Sequence, residues 1–349
     1  MTINRVEAEG LRGLARLSWE PDAGVNVVIG GNAAGKTSLL EAISLVCTGK
    51  VLRSGSSRGA IRDGQDRLWI RAAFGAGLKA GSLSYERSRS QRLWRLDDGS
   101  LRSAIEVYER IPLLVFNPET HYAVVQDANA RRAGMYWAMF HVEPLFLETW
   151  RRYQRLLRQR NAALRTQNTQ YRLFDGGLIQ TGQVLAAMWQ RLVSALQEPF
   201  TRLTERLALG VVATTRLRCG WDGPSFAEAL EAHRAGDERL GYTQAGPHRG
   251  DIVFELRGRP VQETASHGQQ KVVVSAWRLA MATLVAGAGR PPVLLLDDLA
   301  AELDSARRAA FYETLAELKA QAFVTALEGE PLPCPARVFH VEQGRLHGS

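Results

Sequence analysis

The amino-acid sequence predicts an α/β fold: a sheet domain in two discontinuous pieces, 1–116 and 243–349, around an inserted helical lobe, 117–242, with no long coiled coil. Three observations predict it. An apolar strand, Val25 to Ile29, runs straight into a Gly-rich turn and a helix. A second apolar strand, Val293 to Leu296, ends in the two carboxylates Asp297 and Asp298. Between them, from about 120 to 240, the chain is rich in Arg, Leu, Ala, Gln and Glu, poor in Gly and Pro over long runs, and reads as helical throughout.

The elements follow in order. Alternation around Val6 and from Leu14 to Trp19 predicts two short strands before the apolar one. Lys36 to Cys47 places Leu39, Leu40, Ile43, Leu45 and Val46 at helical spacing and stops near Gly49, a C-terminal cap. Residues 68 to 98 alternate, with a turn signal at Asp97-Asp98-Gly99, which predicts antiparallel strands; Leu113 to Phe116 is a further apolar strand. After the lobe, Asp251 to Leu256 resumes sheet character. It is followed by a helix from about Gln269 to Ala286, the strand Pro292 to Leu296, a helix from Asp304 to about Ala320, and strands at Ala322 to Thr325 and Arg337 to Val341. The lobe has no sustained heptads, which excludes a long arm.

Composition narrows the partners. The formal charge of the 349 residues is +8 and the basic residues are mostly Arg, whose planar fork suits phosphate contacts. Genomic base bias also produces Arg-rich chains, so composition alone leaves both readings open. Cys47, Cys219 and Cys334 stand far apart without metal-ligand spacing. The N-terminus is charged where a signal peptide needs an apolar run, and nothing approaches the roughly 18 apolar residues of a membrane span. The expectation is a cytoplasmic, nucleoid-associated protein with no membrane partner.

Three motifs carry chemistry. Gly30-Gly31-Asn32-Ala33-Ala34-Gly35-Lys36-Thr37, with Ser38 behind it, fits the phosphate loop G-x-x-x-x-G-K-[ST]. Backbone N–H groups and the following helix N-terminus surround phosphates, Lys36 reaches the β and γ phosphates of ATP, and the Thr37 hydroxyl binds Mg²⁺. The loop alone does not choose among nucleotide-binding classes. The strand ending in Asp297-Asp298 is the Walker B arrangement, with Asp297 holding Mg²⁺ through water and Asp298 orienting the attacking water; a plain sheet edge or a helix N-terminus is the alternative. Third, Ser266-His267-Gly268-Gln269-Gln270-Lys271 opens a helix and looks like an ABC signature, although an ordinary Ser N-cap has the same form. Order and spacing of the three predict a P-loop ATPase head of the ABC type. A signature cannot reach its own phosphate loop, so the sites form between two copies, head to tail, with Glu302-Leu303-Asp304 along the seam.

With these motifs in this order, the chain resembles the RecF family of bacterial recombination mediators, related to the heads of SMC-type ATPases, over almost its whole length. The resemblance rests on Val25 to Leu40, Cys47 to Lys50 with Arg53, Val115 to Glu119, Arg151-Arg152-Tyr153 with Leu157 to Leu164, Gly246-Pro247-His248-Arg249, Ser266 to Gln270 and Leu294 to Asp304. It implies a weak DNA-stimulated ATPase that dimerises with ATP on double-stranded DNA near gaps or single-stranded/double-stranded junctions. RecO and RecR are the implied partners, in support of RecA loading. It also implies Arg12 near the phosphates, Asn117 in the Q-loop position, and Thr325 where other ABC proteins carry a switch His. Three departures stand out: Ala33 replaces the usual Gly, the Arg-rich motif is reduced to Arg131-Arg132-Ala133, and Gly250 stands where Asp is expected.

For DNA, the residues themselves offer one basic helix face, Arg151, Arg155, Arg158 and Arg165, opposite the packing residues Trp150, Tyr153, Leu157 and Leu164. Lys50 and Arg53 are a second candidate contact. A solvated face is the alternative for both. The competing function is an ABC-type subunit acting on a protein or membrane partner without DNA.

Overall fold

The computed structural model describes residues 2–53, 55–75, 80–97, 99–101, 104–208, 212–298, 303–329 and 335–348. Asp98 of the expected turn, Glu302 and Cys334 lie outside the described residues. The chain forms two compact units, Met1–Tyr122 with Val285–Ser349, and Ala123–Leu284. These bounds assign the stretch from 243 to 284, with Ser266, to the helical unit, whereas the strand and helix pattern of the sequence groups it with the sheets.

The first unit opens with β1 (Ile3–Leu11), β2 (Leu14–Trp19), β3 (Val25–Ile29), α1 (Lys36–Thr48), β4 (Arg67–Phe74), β5 (Gly81–Ser88), β6 (Arg92–Leu96), β7 (Gly99–Ser100), α2 (Ala104–Tyr108) and β8 (Leu113–Phe116). The chain leaves it within α3 (Pro118–Gln126). The second unit holds α4 (Ala128–Val142), α5 (Phe146–Arg165), α6 (Asp175–Ala208), β9 (Ala213–Arg218), α7 (Phe226–Ala232), α8 (Arg234–Leu240), β10 (Asp251–Leu256), β11 (Arg259–Pro260), α9 (Val261–Thr264) and most of α10 (His267–Gly287). Back in the first unit come β12 (Val293–Leu296), α11 (Ser305–Leu318), β13 (Ala322–Ala326), β14 (Ala336–Glu342) and β15 (Arg345–Gly348).

The first unit is two sheets with a helix between them. One is antiparallel, in the order β2-β1-β4-β5-β6-β7. The other runs β15-β14-β3-β13-β12-β8, with β14, β3, β13, β12 and β8 parallel. Parallel strands covered on both faces need continuous apolar runs, and β3, β12 and β13 are buried at every position. Helix α1 packs on both sheets and buries every residue from Leu39 to Cys47, so it lacks the polar face of a surface helix. It ends as its sequence predicts: Gly49 is left-handed (φ 68°) and its N–H bonds the Leu45 carbonyl. Trp19 closes the core edge-on against Phe323 and Phe339.

In the second unit α5 and α6 pack together, and β9-β10-β11 form a small antiparallel sheet. Strand β9 corrects the expectation of helix throughout the lobe. Its polar alternation, Thr214, Arg216 and Arg218 between Ala213, Thr215 and Leu217, pairs with β10 along its full length. Strand β15, a hairpin partner of β14, is also additional to the elements read from the sequence.

Candidate active site

Residues after β3 turn sharply because the strand ends against β14. A Cβ on Gly30 would sit 2.5 Å from the Val341 carbonyl, so only glycine passes there. The loop closes with Ala34 N–H on the Gly31 carbonyl (3.3 Å), and its far side is fixed by Gly344 N–H on the Ala34 carbonyl (3.0 Å). Ala33 adopts the left-handed region (φ 61°), and Gly35 enters α1 at φ 112°. Lys36 is buried and its Nζ donates back to the carbonyls of Gly30 (2.7 Å) and Gly31 (3.0 Å), spanning the loop. The first-turn N–H groups of α1 have no intrahelical acceptors and carry the positive end of the helix dipole, so the loop is a phosphate cradle.

The carboxylates stand at the mouth of this cradle. Strand β12 delivers Asp297, 2% exposed, with Oδ1 accepting from Thr37 Oγ1 and from Thr325 Oγ1, each at 3.1 Å. Thr325, on the neighbouring strand β13, also accepts the Asp298 N–H (2.9 Å), which fixes the peptide where the chain turns with Asp298 at φ 56°. Burial pushes the Asp297 carboxyl above its ordinary range, and the Asp298 charge adds to the rise; the bonds from Thr325 and Thr37 and the nearby Arg53 oppose it. Asp298 is half exposed, free to meet a water. The Thr37 hydroxyl and the Asp297 carboxylate are hard oxygen donors side by side, and so fit Mg²⁺. Among the described residues no three His, Cys, Asp or Glu side chains cluster as a metal cage. That suits Mg²⁺, which keeps waters and takes phosphate oxygens rather than a full set of protein ligands.

The structure brings Lys36, Thr37, Asp297, Asp298 and Thr325 together, and it sets beside them Glu41 and Arg53, the latter expected from the sequence as a DNA contact. Arg53 donates from Nη2 to Thr37 Oγ1 at 2.8 Å and lies 3.7 Å from Asp298 and 4.0 Å from Asp297, so its head faces the carboxylates. Lys50 next to it is exposed, and its ammonium makes no ion pair among the described residues. Arg12 sits in the two-residue turn between β1 and β2 at φ 45° and its guanidinium grips Glu41 through both oxygens. Glu41, fully buried one helical turn after Thr37, also accepts the Leu52 N–H at 3.3 Å. Asn117 donates to the Leu52 carbonyl (2.7 Å) and accepts the Thr120 N–H (2.8 Å), so it both holds this segment and caps α3. The sequence signal for Glu41 was a lone carboxylate in an otherwise apolar helix; Arg53 has no local signal for this place, because its partners are brought by other strands.

Other expected residues have defined places. Ser266 is exposed and caps α10: Gln269 N–H donates to its hydroxyl (3.3 Å) and Gln269 Oε1 accepts its N–H (2.9 Å), a capping box, with Gly268 between them. Asp304 caps α11 by accepting the Arg307 N–H at 2.9 Å. The departures acquire packing reasons. A Cβ on Gly250 would meet the Trp189 ring at 2.4 Å, and Arg131 holds Asp251 bidentately at 2.9 and 2.7 Å while bonding the Val124 and Val125 carbonyls. On α5, Arg151, Arg155, Arg158 and Arg165 are exposed and make no hydrogen bond or ion pair among the described residues, while Tyr153, Leu157 and Leu164 are buried on the other side.

Residues 5–104 match the model described as an AAA domain. The DNA replication and repair protein RecF of Thioalkalivibrio sulfidiphilus is 36% identical over 99% of this chain and 99% of its own length. The RecF of Pseudomonas fluorescens is 35% identical over 99% and 98%. Among solved structures, the recombination mediator protein RecF with ATP, of the RecFOR pathway, superposes with a TM-score of 0.84 at 20% identity, covering all of this chain and 97% of that one. An SMC head bound to the C-winged helix domain of ScpA reaches 0.65 at 13% identity, over all of this chain and 97% of that one, and so shares the fold. A phosphate loop facing paired carboxylates, on a chain alike from end to end to these relatives, places the protein in the RecF family of DNA replication and repair proteins.

Proposed function

We propose that the chain is an ATP-dependent DNA-binding clamp of recombinational repair. ATP with Mg²⁺ joins two copies head to tail on double-stranded DNA near single-strand gaps, and hydrolysis releases them. The observation that carries the reading is the convergence of Lys36, Thr37, Asp297 and Asp298 on one phosphate cradle. Lys36 stabilises charge on the β and γ phosphates. Asp298 accepts a proton from the attacking water as its oxygen bonds the γ-phosphorus and the bond to the β–γ bridging oxygen breaks, giving ADP and phosphate. Thr37 and Asp297 would hold Mg²⁺, which would neutralise phosphate charge when bound.

The exposed Ser266 at the N-terminus of α10 supports a composite site, since its hydroxyl, which accepts the Gln269 N–H, keeps its own O–H to donate to a phosphate presented by a second copy. Exposed, unpaired arginines on α5 support a duplex backbone as ligand, with Lys50 beside the phosphate-loop helix as a further contact. RecO and RecR, and through them RecA, are the partners that this reading brings with it. No helix among the described residues is long and apolar enough to cross a membrane.

Size-exclusion chromatography with and without ATP and Mg²⁺, paired with salt-titrated duplex binding, tests both halves. The parent is expected to dimerise and bind duplex only with ATP. Ser266→Arg is expected to keep ATP binding and lose both. Dimerisation of Ser266→Arg equal to the parent, or an ATP dimer indifferent to DNA, counts against the clamp; the latter favours an ABC-type subunit acting on another partner.

A further inference from the structure

One cation of the chain occupies the place where a metal's ligands meet. Arg53 Nη2 donates to Thr37 Oγ1 (2.8 Å) and stands 3.7 Å from Asp298 Oδ2 and 4.0 Å from Asp297 Oδ2. A divalent cation held by the Thr37 hydroxyl and, through water, by Asp297 would have to share that space with a positive guanidinium, so the two compete. The backbone beneath Arg53 is held. Leu52 N–H is bonded to the buried Glu41 carboxylate at 3.3 Å and its carbonyl accepts from Asn117 at 2.7 Å. The Arg53 side chain itself is 56% exposed. Its head can therefore swing into water while its Cα stays in place.

We infer that Arg53 is an internal counter-cation of the metal site, exchanged for Mg²⁺ when nucleotide binds, and that it sets the Mg²⁺ concentration at which nucleotide is held. The inference rests on the reading of the cradle as an ATP site. Its physical content is a competition. With Arg53 in place, the two adjacent carboxylates are partly neutralised and the Thr37 hydroxyl is engaged; without it, the same oxygens offer a stronger site for a divalent ion. Lysine keeps the charge but not the planar guanidinium, whose single nitrogen Nη2 makes all three approaches.

The test is equilibrium binding of a fluorescent non-hydrolysable ATP analogue to the full chain, without Mg²⁺ and across a Mg²⁺ titration, for the parent, Arg53→Gln and Arg53→Lys. For Arg53→Gln the half-saturating Mg²⁺ is expected to fall roughly two- to tenfold, with Arg53→Lys between it and the parent. An unchanged or higher Mg²⁺ requirement overturns the inference. So does loss of Mg²⁺-free binding in Arg53→Gln, which would make the guanidinium a direct phosphate ligand. If Arg53→Gln does not fold, the lysine variant decides, a lower requirement supporting the exchange and an equal one overturning it. Absence of Mg²⁺-dependent binding in the parent sinks the ATP-site reading itself, and is thereby distinguished from a failure at Arg53.

Discussion

Two of the places where arginine meets aspartate in this molecule have opposite characters. In the helical unit Arg160 is 1% exposed and donates to Asp175 (2.7 Å), Asp237 (2.7 Å) and Thr243 (2.8 Å), with its guanidinium against the Tyr171 ring. The second Asp237 oxygen is taken by the Gln244 N–H and side-chain amide at 3.0 and 3.1 Å, so both oxygens of this buried carboxylate are engaged. In the sheet unit Arg53 makes one short bond and two long approaches to its aspartates, half in water. Saturation separates scaffold from switch: a group with every lone pair and N–H engaged has nothing to offer a ligand, whereas a loosely held one can be exchanged. The contrast extends along α5 itself, where Arg158 and Arg160 are two residues apart and only the exposed one is free for a phosphate.

The sharpest way to break the contrast is to open the closed network. Arg160→Met leaves Asp237 charged and fully buried, and is expected to lower unfolding free energy in urea by about 3–5 kcal/mol. Adding Asp237→Asn should restore part of the loss, because the stranded charge goes. A loss below about 1 kcal/mol for the single variant would mean that the network is not the scaffold argued here. Lys36→Ala is the mirror experiment in the other unit. Its carbonyl partners belong to an open loop, so stability should hold within about 1 kcal/mol, whereas nucleotide affinity should fall roughly 10- to 100-fold with the loss of charge-assisted bonds. Equal affinity measured by fluorescent-nucleotide titration would remove Lys36 from the phosphate site.

A pH scan reads the scaffold more gently. Burial pushes His248 down to about 4, with Arg249 and Arg132 adding to the fall and the Thr243 carbonyl opposing it. Its Nδ1 and Nε2 are engaged by Tyr153 (2.7 Å) and Thr243 (3.1 Å). The unfolded chain protonates near the ordinary histidine value while the folded chain does not. This contribution is therefore intact above about pH 6.5 and lost progressively as pH falls towards 4. Between pH 7.5 and 5 the loss is on the order of 2 kcal/mol. Urea midpoints at the two pH values check it, and His248→Gln should flatten the difference; a parent with no pH slope, or a variant with the same slope, would discharge His248 from the role.

What the sequence made legible follows the same division. Val25 to Ile29, Val293 to Leu296 and Ala322 to Ala326 are buried on both faces, so their apolar runs announced them, and Gly49 announced the end of α1 through its left-handed cap. Strand β9 was hidden because an edge strand half in solvent carries Thr and Arg like the helices around it. Asp297 and Thr37 were legible as motif positions, but Arg53, Glu41 and Thr325 act through partners delivered by other elements, and no spacing rule encodes that. Gly250 stood out in the sequence only as a departure where Asp is expected; the Trp189 ring leaves no room there for a Cβ.

Ala33 carries the smallest expected effect and tests the loop most directly. The sequence marks it as a departure from the usual glycine, and the structure shows the cost: a non-glycine residue at φ 61°. The left-handed region costs an L-residue roughly 1–2 kcal/mol, while glycine loses about 0.5–1 kcal/mol more backbone entropy on folding than alanine. The difference predicts that Ala33→Gly stabilises the chain by about 0.5 kcal/mol and leaves nucleotide affinity within about twofold, since Gly30, Gly35 and Lys36 still set the cradle. Ala33→Val should go the other way and further, because a β-branched side chain tolerates that region least. Urea unfolding of the three proteins orders them Gly, Ala, Val from most to least stable; the reverse order would show that position 33 is extended and that the phosphate loop is built differently.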